Sequence, residues 1–358
     1  MKEIEYKNFV KKDQKVLFIA PGIFLALGGM FEYVKMWFNE TKKYSTDAKF
    51  LLKTNLNFPQ KQNITSKILT SDSTIKQIVI TSILNLLFPP KISGKYFYKD
   101  YNKEVEKVDI VHVLSASLNN YALFKWLLKT YPRKKIIYTL HDPKPHTEKI
   151  SFLAKILRDN GNNGIFKLAE KNKNFIIHLH SSKLIKDLPK KVKRVIIHPH
   201  PLPETRAKRK RKNNSIIRLG FMGRIEHYKG LSLFFEALTQ LPKKLHSNIE
   251  VFIIGRGSIV NNWSDLPFKT VVKNELVTDE EFHQNIANLD CLVLPYINAS
   301  QTGVGYMGAA YKVPMILSNI GGLPDVYRLC KTGKSILIKP NNKESLKQGI
   351  EKFINSNN

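Results

Sequence analysis

The sequence predicts an α/β protein built as two doubly wound, Rossmann-like domains facing a cleft. Short apolar runs alternate with helical segments along both halves of the 358 residues. A basic run at Arg206, Lys208, Arg209, Lys210, Arg211 and Lys212 interrupts that alternation, which then begins again. Residues 291–325 hold an apolar run, a polar loop, a helix start and a second apolar run, the order of a strand–loop–helix–strand unit. Alternating strands and helices imply parallel sheets covered on both faces. The chain is too long for one ordinary core, so two domains are expected, 1–205 and 215–358, joined by a basic linker at 206–214.

In the first half, residues 16–20 (VLFIA) read as a buried strand that ends at the Pro21-Gly22 turn. The Gly28-Gly29 pair then leads into a helical pattern at 31–41. The runs at 110–114, 135–140, 175–179 and 194–197 are short and apolar, as strands covered on both faces are. Helical segments at 119–129 and 150–158 separate them. The second half reads as strand 216–222, helix 231–239, strand 250–254 ending at Gly255-Arg256-Gly257, strand 269–272 and helix 279–289. The 291–325 unit and a terminal helix at 343–354 complete it.

A hydrophobic content of 42% with 24% charged residues is that of a globular chain. Cys291 and Cys330 are expected to pack as free thiols, which fits a reducing cytoplasm. Residues 1–15 lack the apolar core of a signal peptide, and the stretches at 16–31 and 78–90 are too short to span a bilayer. The net charge of +29 calls for an anionic partner: nucleic acid, acidic phospholipid or a phosphorylated substrate. The scatter of lysines, with no interleaved aromatics and no reading motif, argues against nucleic acid. The 206–212 run reads either as a solvated linker or as a contact with anionic lipid, where each base gains roughly 1 kcal/mol. Residues 74–90 read as a buried helix or as an apolar contact with the same surface.

The chemistry points to 291–325. Its loop lies at the carboxyl end of a strand, where open α/β sheets bind ligands. The N–H groups of a helix start at Gln301-Thr302-Gly303, among small residues, suit a phosphate. A phosphorylated small molecule is therefore the expected ligand.

Residues 221–230 (FMGRIEHYKG) resemble the "GR…KG" motif that opens the donor domain of glycosyltransferase family 4 (group 1), retaining enzymes of GT-B fold. Residues 253–257, the strand at 290–296 and Gly321-Gly322-Leu323-Pro324-Asp325 follow in the family's order. The likeness covers the second half closely and the first in outline; four motifs in register carry far more weight than any one. It implies a nucleotide-diphosphate sugar as donor, with no cofactor and no metal required. It also implies a glycan, glycolipid or lipid-linked acceptor and a peripheral place on the inner membrane face.

By that resemblance Arg224 and Lys229 hold the diphosphate, whose charge grows as the glycosidic bond breaks, and preorganised donors aimed at that charge drive the reaction. Gly223, Gly255, Gln301, Thr302, Gly303, Val304 and Asp325 complete the donor site. Gly28 and Gly29 approach the donor phosphate, and His141 acts on the transferring sugar beside Asp142. Blander readings stand beside these. Arg224 and Lys229 are two of 58 bases, Thr302 a helix cap, Asp325 a cap or turn residue, and Gly28-Gly29 a simple turn. His141 with His146, and the His-x-His pairs 178/180 and 198/200, permit zinc, cleft lining or plain packing.

The sequence departs from the family at one place. Aligned on Val313-Pro314, the positions of the family's paired glutamates hold Ala299 and Met307, and no carboxylate occurs between Asp290 and Asp325. Residues 300–304 (SQTGV) instead resemble the subset whose helix starts Q-[ST]-G-V. Loss of the carboxylates leaves open a non-catalytic sugar-nucleotide-binding relative.

Overall fold

The computed structural model describes residues 1–20, 29–41, 43–44, 48–54, 67–70, 99–117, 120–143, 152–208, 216–259 and 261–357. Pro21, Gly22, Gly28, residues 74–90, His146 and the bases 209–212 lie outside the described residues. The chain divides into two compact units, Met1–Pro201 and Leu202–Asn358.

The first unit is a parallel sheet ordered β1-β8-β7-β6-β5-β2-β3-β4. Its strands are β1 (Lys2–Glu5), β2 (Val16–Ala20), β3 (Ala48–Thr54), β4 (Lys67–Thr70), β5 (Ile110–Val113), β6 (Lys135–Thr139), β7 (Phe175–Leu179) and β8 (Arg194–Ile197). Helices α1 (Tyr6–Phe9), α2 (Gly29–Thr41), α3 (Lys99–Val105), α4 (Asn120–Thr130) and α5 (Phe152–Lys171) connect them. The central strands are fully buried, which is why they read as unbroken apolar runs.

Strand β1 escaped the sequence reading because Lys-Glu-Ile-Glu is charged. It is an edge strand paired only with β8, so it needs no apolar run. Helix α5 runs well past the expected end at 158, through Gly161 and Gly164. Glycine disfavours a helix interior. At Gly164, however, a side chain would overlap the Tyr121 ring, so the absent Cβ lets α5 close on α4.

The second unit is a parallel sheet ordered β11-β10-β9-β12-β13-β14. Its strands are β9 (Ile217–Met222), β10 (Ile249–Ile254), β11 (Lys269–Lys273), β12 (Cys291–Leu294), β13 (Met315–Ser318) and β14 (Ile336–Ile338). Its helices are α6 (Leu231–Thr239), α7 (Asp279–Ala287), α8 (Gly303–Ala310), α9 (Leu323–Leu329) and α10 (Lys343–Asn355). Apolar clusters lie on both faces, one under α6 and α10, the other under α8 and α9. Both cysteines are buried and unbonded.

In each unit the strand order reverses once, between β2 and β5 and between β9 and β12. Loops leaving adjacent strands there go to opposite faces and open a crevice at their carboxyl ends. The expectation of two Rossmann-like sheets holds.

Candidate active site

The loops after β9 and β12 flank the reversal point of the second sheet, and they carry most of the residues singled out by sequence. Gly223 follows β9 directly with φ +96°, a conformation glycine adopts without strain. A side chain there would meet Val304 Cγ2 at 2.9 Å and Lys229 Nζ at 3.6 Å, so the loop after β9 and the start of α8 converge on one point. Gly255, after β10 with φ +150°, packs against the Gly223 carbonyl, where a Cβ would collide. These glycines let neighbouring strand ends approach closely.

Lys229 closes a 3-10 turn (His227–Lys229) and is buried, with 7% of its surface exposed. Its ammonium lies 5.8 Å from the Tyr296 ring centre and 6.0 Å from that of Tyr228, within range of cation–π attraction. Burial pushes the Tyr296 hydroxyl up to about 12 and raises that of Tyr228 as well, so both phenols stay neutral. The Tyr228 carbonyl accepts from the Ile297 N–H at 2.7 Å, tying the two loops together. Arg224 is largely exposed, its guanidinium 2.8 Å from the Glu226 carboxylate.

Helix α8 begins where the sequence placed it. Thr302 is its N-cap, the hydroxyl accepting from the Gly305 N–H at 3.1 Å and lying 3.3 Å from the Tyr296 hydroxyl. The N–H groups of Gly303 and Val304 stand in the first turn, which offers them no helical acceptor. A side chain at Gly303 would meet nothing within 4 Å. Gln301 Oε1 accepts from the Tyr306 hydroxyl at 3.1 Å. Asp325 lies in the first turn of α9 and pairs with Arg328. Ala299 and Met307 are buried in the apolar cluster beneath α8.

Removal of the cap gives a direct check. Thr302→Ala should lower the stability of the second unit by about 1 kcal/mol. Urea unfolding followed by Trp263 fluorescence measures it, and an unmoved midpoint would show that the cap contributes nothing.

In the first unit Gly29 begins α2, and His141 follows β6. The His141 Nε2–H donates to the Leu114 carbonyl at 2.8 Å, just beyond β5 at that sheet's reversal point. The ring packs edge-on to Tyr33 (4.8 Å between centres) and beside His180. Burial lowers its basicity, so the imidazole is neutral and presents Nδ1 as an acceptor.

The histidine pairs form a hydrogen-bonded chain whose proton order can be worked out. Burial holds His112, His178 and His180 below the ordinary histidine range, His178 down to about 3, so each ring carries one N–H. His178 Nε2 must donate to the His198 carbonyl (3.1 Å). Its Nδ1 then accepts from the Thr139 hydroxyl (2.9 Å), whose oxygen accepts from His112 Nε2 (2.8 Å). His112 Nδ1 accepts in turn from the Tyr6 hydroxyl (3.1 Å). A second branch runs from the Tyr33 hydroxyl to His180 Nε2 (2.9 Å), and from His180 Nδ1 to the same His198 carbonyl (3.1 Å). Every ring nitrogen of His178 and His180 is thus engaged, leaving neither for a metal. Among the described residues no group of three or more potential ligands gathers.

Sequence reasoning named His141, His178, His180, His198 and His200 but missed His112, Tyr6, Tyr33 and Thr139. It likewise missed Tyr228 and Tyr296 around Lys229. The one available signal for Tyr296 was its place immediately after a strand-ending proline.

Comparison with known proteins fits this geometry. Residues 203–358 match the family Glycosyl transferases group 1. A curated relative, an uncharacterized glycosyltransferase of Methanocaldococcus jannaschii, is 27% identical over 155 residues, which are 42% of this chain and 39% of that protein. The chain thus spans about two fifths of that relative's length. Sucrose-phosphate synthase from Thermosynechococcus elongatus superposes with a TM-score of 0.63 at 14% identity, covering 96% of this chain and 90% of the other. HepE of Anabaena, in complex with UDP, gives 0.53 at 14% identity, with 96% and 93% covered. An E. coli trehalose-6-phosphate structure bound with UDP-2-fluoro glucose gives 0.58 at 11% identity, with 95% and 91% covered. At these identities the likeness is one of fold: two parallel-sheet α/β domains, as in the GT-B glycosyltransferases.

Proposed function

We propose that the protein is a retaining glycosyltransferase of family 4, of the variant with a Q-[ST]-G-V helix start. It would move a sugar, of the hexose class, from a nucleotide-diphosphate donor to a polysaccharide, glycolipid or lipid-linked oligosaccharide. The observation that carries this is the convergence of Gly223, Lys229 and Val304 at the reversal point of the second sheet. That convergence falls within the segment matching group 1 glycosyl transferases.

In this reading 215–358 binds the donor, 1–205 serves the acceptor, and 206–214 links them. The diphosphate sits against the Gly303 and Val304 N–H groups, with Lys229 on one side. Arg224 leaves Glu226 to meet the phosphate oxygens. These groups stabilise the leaving nucleotide as its charge grows, and they act most strongly where water is excluded. Gly255, Gln301 and Asp325 shape the pocket, and Gly28 and Gly29 are further donor-binding residues in this reading. His141, neutral with Nδ1 as acceptor, receives a hydroxyl of the transferring sugar. HepE also has a complex with UDP-glucose, which supports a UDP-sugar donor here. No described helix is long and apolar enough to cross a membrane; the association proposed with the inner membrane face is a peripheral one.

Calorimetric titration with UDP and GDP, followed by donor hydrolysis and transfer assays, tests the proposal. Binding of one nucleotide with turnover supports it, and absence of any nucleotide binding sinks it. Binding without turnover for every donor would favour a non-catalytic relative, the reading that the buried, uncharged Ala299 and Met307 suit.

A further inference from the structure

All strands of the first sheet run parallel, so their amino-terminal ends lie along one edge, opposite the carboxyl edge that carries His141. The turns entering β6, β7 and β8 meet there and are stitched together. Asn174 Nδ2 donates to the Pro132 carbonyl at 2.9 Å, Arg194 Nη2 to the Lys173 carbonyl at 2.7 Å, and the Lys2 N–H to the Lys193 carbonyl at 2.7 Å. With neighbouring strands about 4.8 Å apart, β6, β7, β8 and β1 set these turns in a row roughly 14 Å long.

The row is strongly basic. Arg133, Lys171, Lys173, Lys190 and Lys193 are exposed and Lys191 half-exposed, with Glu3, Glu106, Asp109 and Glu170 as the exposed acids nearby. None of the six forms an ion pair with a carboxylate among the described residues, whereas Lys107, before the neighbouring strand β5, pairs with Glu104. Unpaired like charges on stitched turns repel one another, a cost that an anionic surface would remove.

We propose that this amino-terminal edge is a docking surface for an anionic lipid bilayer. Three features favour a bilayer over nucleic acid. The bases are mostly lysines, compact charges that attract without the paired geometry by which arginine grips individual phosphates. No exposed aromatic stands among them to stack a base. The charges lie along a row of turns rather than in a groove that would track a strand. The surface supplies a contact within the folded first unit.

Cosedimentation of the full chain with phosphatidylcholine vesicles, with and without phosphatidylglycerol, tests this at low salt. Binding is expected only with phosphatidylglycerol. Lys190→Glu/Lys191→Glu/Lys193→Glu should weaken it roughly a hundredfold, because each base near such a surface contributes about 1 kcal/mol. Lys171→Glu/Lys173→Glu should weaken it severalfold or more, while Lys243→Glu/Lys244→Glu, an exposed pair in the second unit, should change it little. Absence of vesicle binding overturns the proposal, as does equal loss in the second-unit variant. Tighter binding to single-stranded RNA than to the vesicles, abolished by the same triple reversal, would assign the edge to nucleic acid instead. Vesicle binding needs no nucleotide, so its failure leaves the transferase assignment standing.

Discussion

Lys229→Ala is expected to lower kcat/KM for the donor by about 10²–10³-fold, the usual cost of removing one preorganised group from a developing negative charge. Lys229 is the cation most fixed in the site. It is buried against two neutral phenol rings, its ammonium approaches Gly223, and the 3-10 turn holds its backbone. A cation already in place reorganises little as charge develops, which makes it worth more in the transition state than an exposed one. Because alanine also removes the buried stem, Lys229→Met separates packing from charge and should show nearly the full kinetic loss with an unchanged urea midpoint. Normal kinetics in the methionine variant would remove Lys229 from the donor site. Arg224→Ala should cost less in the ground state, since the guanidinium is exposed and must first leave Glu226. Its effect should therefore appear more in kcat than in KM.

The donor-side site was legible because its geometry imposes residue types at fixed places. Gly223 and Gly255 stand where backbones crowd at strand ends, and Thr302 stands where a helix needs a cap. Each leaves a mark in the local sequence, and the strand–turn–helix context multiplies their weight. The rings around Lys229 were not legible, since Tyr228 and Tyr296 meet only once β9 and β12 pair. The same holds more strongly for the first unit. Tyr6 and His112 are 106 residues apart, Tyr33 and His180 are 147 apart, and no local pattern predicts either contact. A run of histidines at strand ends suggested metal, cleft or packing alike. Only the bonded partners decide that His178 and His180 are structural.

Those partners predict an acid response that begins in the first unit. His112, His141, His178, His180 and His200 all have basicity lowered by burial, His178 to about 3 and His200 to about 4 from an ordinary 6.5. For a histidine lowered in the folded state, the unfolded chain binds protons that the folded chain refuses. Stability is therefore complete above pH 6.5 and falls as pH drops from there toward the lowered values. Each ring acting alone would cost about 1.4 kcal/mol per pH unit in that window. Coupling among neighbours prevents simple addition, but between pH 7 and pH 5 the first unit should lose at least about 3 kcal/mol by this linkage. Glu40 adds to the effect only later. His198 and Lys43 hold its carboxyl down at about 2, so its contribution is lost below 4.5, after the histidines have acted. The second unit buries a single histidine among its described residues, His283, and should outlast the first. Trp37 and Trp126 report the first unit once Trp263→Phe silences the second, and Cys291 and Cys330, buried thiols, report the second through a disulfide reagent active in acid. The first unit should lose its urea midpoint between pH 7 and pH 5 while the thiols stay protected. Equal midpoints at the two pH values, or thiols that open first, would mean that the chain of neutral rings does not govern acid stability.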